Sequence, residues 1–212
     1  MILCAITDRR IFPGTEGDRR RALLAAVQAW AEGGVDFIQL REKDLHAREM
    51  LALAGEVTRA ASGRRNRPRV LLNGPAEIAL AAGCDGVHLP GNAAPDAATS
   101  ARALFAAQGR KAVISRSCHV GDETASGIAS WDADLLLFAP VFEKSLSSDG
   151  GGTLAGSGPD ALAAACWAAS PRPVLALGGV TLGNVPACMA AGAAGVAAIR
   201  LFAVGDWRRL RG

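Results

Sequence analysis

Short apolar runs recur along the chain, each followed by a stretch rich in Ala and Leu with charged residues at helical spacing. The runs are Ile2–Thr7, Val35–Leu40, Val70–Asn73, Gly86–Leu89, Ala112–Ser115, Leu135–Phe138, Val174–Leu177 and Gly195–Ile199. They are apolar on both faces, which predicts parallel strands covered by helices. Helices are predicted over Arg20–Glu32, Ala47–Ala61, Ala97–Ala107 and Pro159–Ala168, the last started by Pro159 and Asp160. Eight such units favour closure into a single (β/α)8 TIM barrel spanning residues 1–212. An open doubly wound sheet is the alternative, weakened because the first strand–helix turn lacks a G-x-G-x-x-G fingerprint.

The rhythm breaks twice. After Ile199, only Asp206–Leu210 can supply a turn or two of helix, so the eighth helix is predicted to be truncated. The groove it leaves is where a partner subunit of a homodimer would sit. The segment Glu143–Gly158, EKSLSSDGGGTLAGSG, follows the sixth strand on the face where barrels keep their active sites. A long Gly/Ser loop there is either a mobile lid or disordered.

Composition narrows the function classes. Half of the 212 residues are hydrophobic, enough for one sizeable core. The net charge is only +3, with arginines grouped at Arg19, Arg20 and Arg21, at Arg64, Arg65 and Arg67, and at Arg208, Arg209 and Arg211. No nucleic-acid module accompanies these groups, so they read as solvated surface rather than a polyanion site. The five cysteines, Cys4, Cys84, Cys118, Cys166 and Cys188, form no C-x-x-C pair, which points away from zinc and disulfides. With no secretory signal and no membrane-length apolar run, the expectation is a soluble cytoplasmic protein with neither nucleic-acid nor membrane partners.

Side chains at the C-terminal ends of barrel strands converge on one mouth. In order they are Thr7 and Asp8, Gln39, Arg41 and Lys43, Asn73, His88, Ser117 and His119, the loop after Phe142, Gly178 and Gly179, and Arg200. The set is cationic and rich in donors, without an acidic pair placed for a divalent metal, so it describes an anion site. Gly178 and Gly179 let backbone N–H groups approach a phosphate after strand seven; the plain alternative is a turn needing positive φ. Alternation along Gln39–Lys43 predicts that Gln39, Arg41 and Lys43 share one side. His119 is the candidate general acid or base. His88 reads as a hydrogen-bonded barrel histidine, His46 as solvent-facing, and Cys118 as pointing away from His119.

These residues resemble the thiamine-phosphate synthase superfamily over nearly the whole chain. The motifs are AITD (Ala5–Asp8), VDFIQLREK (Val35–Lys43), NGPAEIAL (Asn73–Leu80), GVHLP (Gly86–Pro90), SRSCH (Ser115–His119), LFAPVFE (Leu137–Glu143), LALGGV (Leu175–Val180) and AGAAGVAAI (Ala191–Ile199). The resemblance implies a (β/α)8 barrel and a small phosphorylated thiazole as substrate. It also implies that Gln39, Arg41, Lys43, Asn73 and Ser117 bind substrate. In the synthase branch, which joins a pyrimidine pyrophosphate to a thiazole phosphate, two Asp residues hold Mg²⁺. Here Gly74 and Ala93 stand at those positions, and Glu143, Lys144, Ser145, Leu146 and Ser147 replace the P-T-x-T-K loop. The TenI-like thiazole tautomerase branch resembles this chain at Asn73-Gly74, Leu89-Pro90, Arg116-Ser117-Cys118-His119 and Leu137–Glu143.

The resemblance therefore implies a metal-independent tautomerase without a cofactor, with His119 moving the proton and Gly178, Gly179 and Arg200 holding phosphate. The alternatives are a Mg²⁺-dependent synthase, with Glu143, Asp149 or Lys144 replacing lost groups, and a non-catalytic binder of thiazole or thiamine phosphate.

Overall fold

The structure of the chain, a computed structural model, describes residues 1–63, 66–122, 127–145 and 152–211. Eight parallel strands form a closed barrel: β1 (Ile2–Ile6), β2 (Phe37–Leu40), β3 (Arg69–Leu72), β4 (Gly86–Leu89), β5 (Val113–Cys118), β6 (Leu135–Phe138), β7 (Val174–Leu177) and β8 (Gly195–Ala198). Ile2 pairs with Gly195 and Ala5 with Ala198, so β8 meets β1 and the open-sheet alternative is excluded.

Side chains alternate across each strand. Cys4, Ile6, Leu135, Leu137, Leu175 and Ala197 fill the barrel interior. Their neighbours Leu3, Ile38, Leu40, Val70, Leu72, Val87, Ile114 and Leu136 face the helical layer. β5 runs beyond the predicted end at Ser115, with Arg116, Ser117 and Cys118 in register with Leu136, Leu137 and Phe138 of β6. Ser117 is thereby a strand residue on the interior face, and Cys118 belongs to the outer core.

The helices are α1 (Glu16–Glu32), α2 (Ala47–Ala60), α3 (Ala76–Ala81), α4 (Ala97–Ala106), α5 (Gly158–Ala169), α6 (Val185–Ala190) and α7 (Arg200–Ala203). α1 starts earlier than the apolar periodicity predicts because Thr15 and Asp18 form a capping box. The Asp18 carboxylate accepts from Thr15 N at 2.9 Å, and Thr15 Oγ1 accepts from Asp18 N at 3.3 Å. α3 and α6 span six residues each, too few to stand without tertiary packing.

The eighth helix is truncated, as the sequence predicts: α7 is one turn, followed by a 3₁₀ segment over Asp206–Leu210. The resulting groove holds an aromatic side chain of the chain itself. Trp207 fills it, 1% exposed and stacked on Phe202 at 5.9 Å, while Phe202 meets Trp30 edge-on at 6.3 Å. Gly33 makes room for this plug, since a Cβ there would lie 2.1 Å from the Trp207 ring. Arg211 ties the same region to Asp36, to the Gly34 carbonyl and to the Met1 carbonyl.

In the loop after β6, Lys144–Ser145 and Thr153–Leu154 pair as an antiparallel ribbon, and residues 146–151, including Asp149, lie outside the described residues. Arg64 and Arg65 do as well. Within the described part of these groups, Arg20 pairs with Glu56 at 2.7 Å and Arg67 with Asp85 at 2.7 Å. Among the described residues no disulfide forms, and four of the five cysteines are buried. Among the described residues no helix is long and apolar enough to cross a membrane.

Candidate active site at the C-terminal mouth

The mouth is built on a buried ionic knot. Glu42, 3% exposed, accepts from the Thr7 hydroxyl at 2.7 Å, from Arg9 N at 3.1 Å and from Arg9 Nη1 at 3.1 Å. Arg9 also donates to Asp44 at 2.8 and 2.9 Å and to Glu16 at 2.5 Å. Burial is the largest influence on Glu42 and raises its pKa, despite the donors around it. For Arg9 the Asp44 hydrogen bonds dominate and raise its pKa, with Glu16 and Glu42 adding to them. The cation is thus anchored chiefly by its outer partners, and Glu42 is held as the costly inner member of the pair. Thr7 Oγ1 in turn accepts from Arg41 N at 3.0 Å, so the knot fixes the backbone that carries Arg41.

This arrangement corrects the alternation predicted beyond β2. The strand ends at Leu40, Glu42 turns back into the knot, and Lys43 lies exposed in a turn. Lys43 does not share a strand face with Gln39 and Arg41. Gln39 does face the barrel interior, 2% exposed, and its Nε2 is buried with no hydrogen-bond partner among the described residues. Such a donor is costly unless something accepts from it. Asn73, half-buried just past β3, stands on the same inward alternation.

On β4, the strand next to β3, His88 bridges two hydroxyls of β5: Nδ1 lies 2.8 Å from Ser115 Oγ and Nε2 lies 2.9 Å from Ser117 Oγ. Burial, reinforced by the Arg41 cation, lowers the His88 pKa from 6.5 to about 4, so the ring is neutral near pH 7. Ser117 is thus hydrogen-bonded to His88, and the Arg41 charge acts on the same ring. His119 lies beyond them, just after β5, with its side chain 55% exposed. Its backbone N–H donates to Asp122 Oδ2 at 2.8 Å, and Nδ1 stands 3.7 Å from the same oxygen. Its ring rests on Gly91, where a Cβ would come within 3.1 Å.

Gly178 and Gly179 adopt φ 91° and 64°, and both are closely approached by the segment after β6. A Cβ would lie 2.8 Å from Pro140 Cα at the first and 2.4 Å from the Glu143 carbonyl oxygen at the second. The turn therefore requires glycine for conformation and for space. Among the described residues, neither glycine N–H donates to a backbone carbonyl, while Gly178 O accepts from Phe142 N at 3.0 Å and Gly179 O from Asn184 Nδ2 at 2.9 Å. Both carbonyls are thus engaged within the loop. Arg200, exposed, opens α7 at the end of the neighbouring strand β8.

Arg116 is a site residue that motif reading treats only as part of a string. It is 7% exposed, stacks on Trp131 at 4.2 Å and donates to the Gly91 carbonyl at 2.7 Å and the Ala93 carbonyl at 3.1 Å. It fixes the loop on which His119 rests. Its place on the outer alternation of β5, between Ser115 and Ser117, is the signal that could have found it.

Among the described residues, the positions expected to hold magnesium do not suit it. At the two positions where the synthase resemblance expects carboxylates stand Gly74 and Ala93, and the Ala93 carbonyl is already taken by Arg116. Among the described residues no three His, Cys, Asp or Glu side chains gather as metal ligands would. Glu143 is exposed beside the Gly178–Gly179 turn. The cavity at the opposite end of the barrel, about 270 Å³, is lined by Phe37, Arg69, Lys111, Asp134 and neighbours and includes none of the groups above.

A closed (β/α)8 barrel with a cationic, donor-rich mouth at its strand C-termini is the class that fold and geometry define. The chain belongs to the thiamine monophosphate synthase family, whose model matches residues 3–202, and this places it in thiamine biosynthesis. A Geobacter sulfurreducens protein named "Putative thiamine-phosphate synthase" is 42% identical over 197 residues, 93% of this chain and 84% of that one. The thiamine-phosphate synthase of Chlorobium luteolum is 34% identical, covering 93% and 83%. Thiamine phosphate pyrophosphorylase from Pyrococcus furiosus superposes with a TM-score of 0.73 at 25% identity, over 98% of this chain and 90% of that one.

Proposed function

We propose that the chain is a TenI-like thiazole tautomerase, acting on a dihydrothiazole that carries a carboxylate and a phosphoethylidene arm. The observation that carries this reading is the missing carboxylate pair: Gly74 and Ala93 stand at the two positions where the synthase branch holds Mg²⁺. In this reading the N–H groups of Gly178 and Gly179, with Arg200, hold the phosphate. Arg41, Gln39 and Ser117 hold the carboxylate, with Asn73 beside them and Lys43 at the exposed rim. His119 moves the proton. The electron pair of a ring C–H bond enters the ring, the exocyclic double bond takes up a proton, and aromatisation drives the isomerisation with no redox change. Positioned acid/base catalysis of this kind supplies about 10² to 10⁴-fold.

A second reading is favoured by the names of the relatives, which are synthases. It would join a pyrimidine pyrophosphate to a thiazole phosphate. The deciding experiment incubates the purified protein with the thiazole tautomer, and separately with the synthase substrate pair, each with and without Mg²⁺. Metal-independent conversion of the tautomer, without thiamine phosphate from the pair, supports the first reading. Mg²⁺-dependent thiamine phosphate formation with an inert tautomer overturns it in favour of the second.

A further inference from the structure

His88 is 4% exposed and carries a serine hydroxyl on each ring nitrogen, Ser115 on Nδ1 and Ser117 on Nε2. A neutral imidazole has one N–H and one lone pair, so it donates to one serine and accepts from the other. The two arrangements are not equivalent. Ser115 is 1% exposed, and among the described residues its hydroxyl meets no hydrogen-bonding atom other than His88 Nδ1. A proton on Nδ1 would make Ser115 an acceptor and bury its own O–H without one. A proton on Nε2 lets Ser115 donate to Nδ1 and the ring donate to Ser117. The spare hydrogen of the chain is then the one on Ser117, which is half-buried at the mouth and can reach a ligand. The cost of an orphaned buried hydroxyl favours the second arrangement roughly 10-fold or more.

We propose that Ser115 and His88 are positioning residues that fix the Ser117 hydroxyl as a donor into the mouth, so that the ligand atom beside it must be an acceptor. With the Arg41 cation nearby, that atom is an anionic carboxylate or phosphate oxygen. This deepens the reading above, which places an anion there. A ligand offering a donor at this point would have to reverse every hydrogen bond in the chain and strand Ser115.

The test uses ¹⁵N spectra of the histidine rings in the ligand-free protein at pH 7, His88 being assigned from His88→Gln among the three histidines. The expected spectrum has Nε2 protonated and Nδ1 bare. Ser115→Ala removes the biasing donor. It is expected to move the tautomer ratio toward even and to weaken binding of the aromatic thiazole carboxylate phosphate about 10-fold. Ser115→Thr, which keeps the hydroxyl, is expected to restore both. A wild-type ring protonated at Nδ1 overturns the proposal, as does a Ser115→Ala protein whose ratio and affinity match wild type. The spectrum is taken without ligand, so it decides the proposal whichever reaction the mouth performs. Failure of the wild type to bind the thiazole probe counts separately, against the proposed function.

Discussion

Replacing Glu42 by Gln tests the knot under the mouth. The Glu42 side chain is 1% exposed and that of Arg9 5%, so solvent screens their contact very little. Gln keeps one acceptor oxygen but turns an amide toward Arg9 N and Nη1, which are both donors. Removing one member of a buried pair costs about 3–5 kcal/mol. Asp44 and Glu16 remain on Arg9, and they are exposed, which puts the expected loss near the lower end, about 3 kcal/mol. For a chain of this length each kcal/mol shifts Tm by roughly 2–4 °C, so a fall of about 6–12 °C is expected. Calorimetry at pH 7 reads it directly. Because burial dominates at Glu42, replacing both partners by apolar residues, Arg9→Met with Glu42→Met, is expected to cost less than the sum of the single changes. The knot also fixes the backbone of Arg41 through Thr7, so Glu42→Gln is expected to raise KM for the thiazole substrate as well. A Glu42→Gln protein within 1 °C of wild type, or a double variant as unstable as the two singles combined, refutes the account.

Three further outcomes are expected. His119→Asn should lower tautomer turnover about 10² to 10⁴-fold while substrate binding changes little; unchanged turnover removes His119 from the mechanism. Trp207→Ala should cost about 3–5 kcal/mol, measured by denaturant unfolding, because its ring is buried against Phe202. A loss below 1 kcal/mol would mean that the groove closes without it. At Asp85, burial pushes the carboxyl upward but is outweighed by the Arg67 hydrogen bonds and the Val70 N–H, which together hold it below the usual range. Its stabilisation is therefore fully present above the unfolded value of about 3.9 and lost as pH falls through the lower folded value. Asp85→Asn should be less stable than wild type at pH 7 and converge with it in acid; a gap that is independent of pH refutes the assignment.

The strands were legible because parallel strands buried on both faces stand out as short apolar runs. β5 extends past Ser115 through Arg116 and Ser117, polar residues that resemble a loop in the sequence, one facing the helical layer and the other the interior. α3 and α6 are too brief to show a period. At the mouth, Gln39 and His88 could be placed by counting alternate residues along their strands. Lys43 could not, because nothing in Gln39–Lys43 announces that the strand stops at Leu40. Arg9 and Glu42 escaped notice for a related reason. Charged residues in loops look solvated, and only tertiary contact between positions 33 apart reveals a buried pair.

The tie between Arg211 and the Met1 carbonyl brings both ends of this chain to the rim opposite the ligand mouth. A tag or second domain attached at either end would hang from that far rim and leave substrate entry clear. Joining the two ends by a short bridge and cutting the ring elsewhere should yield a rearranged chain with the same barrel.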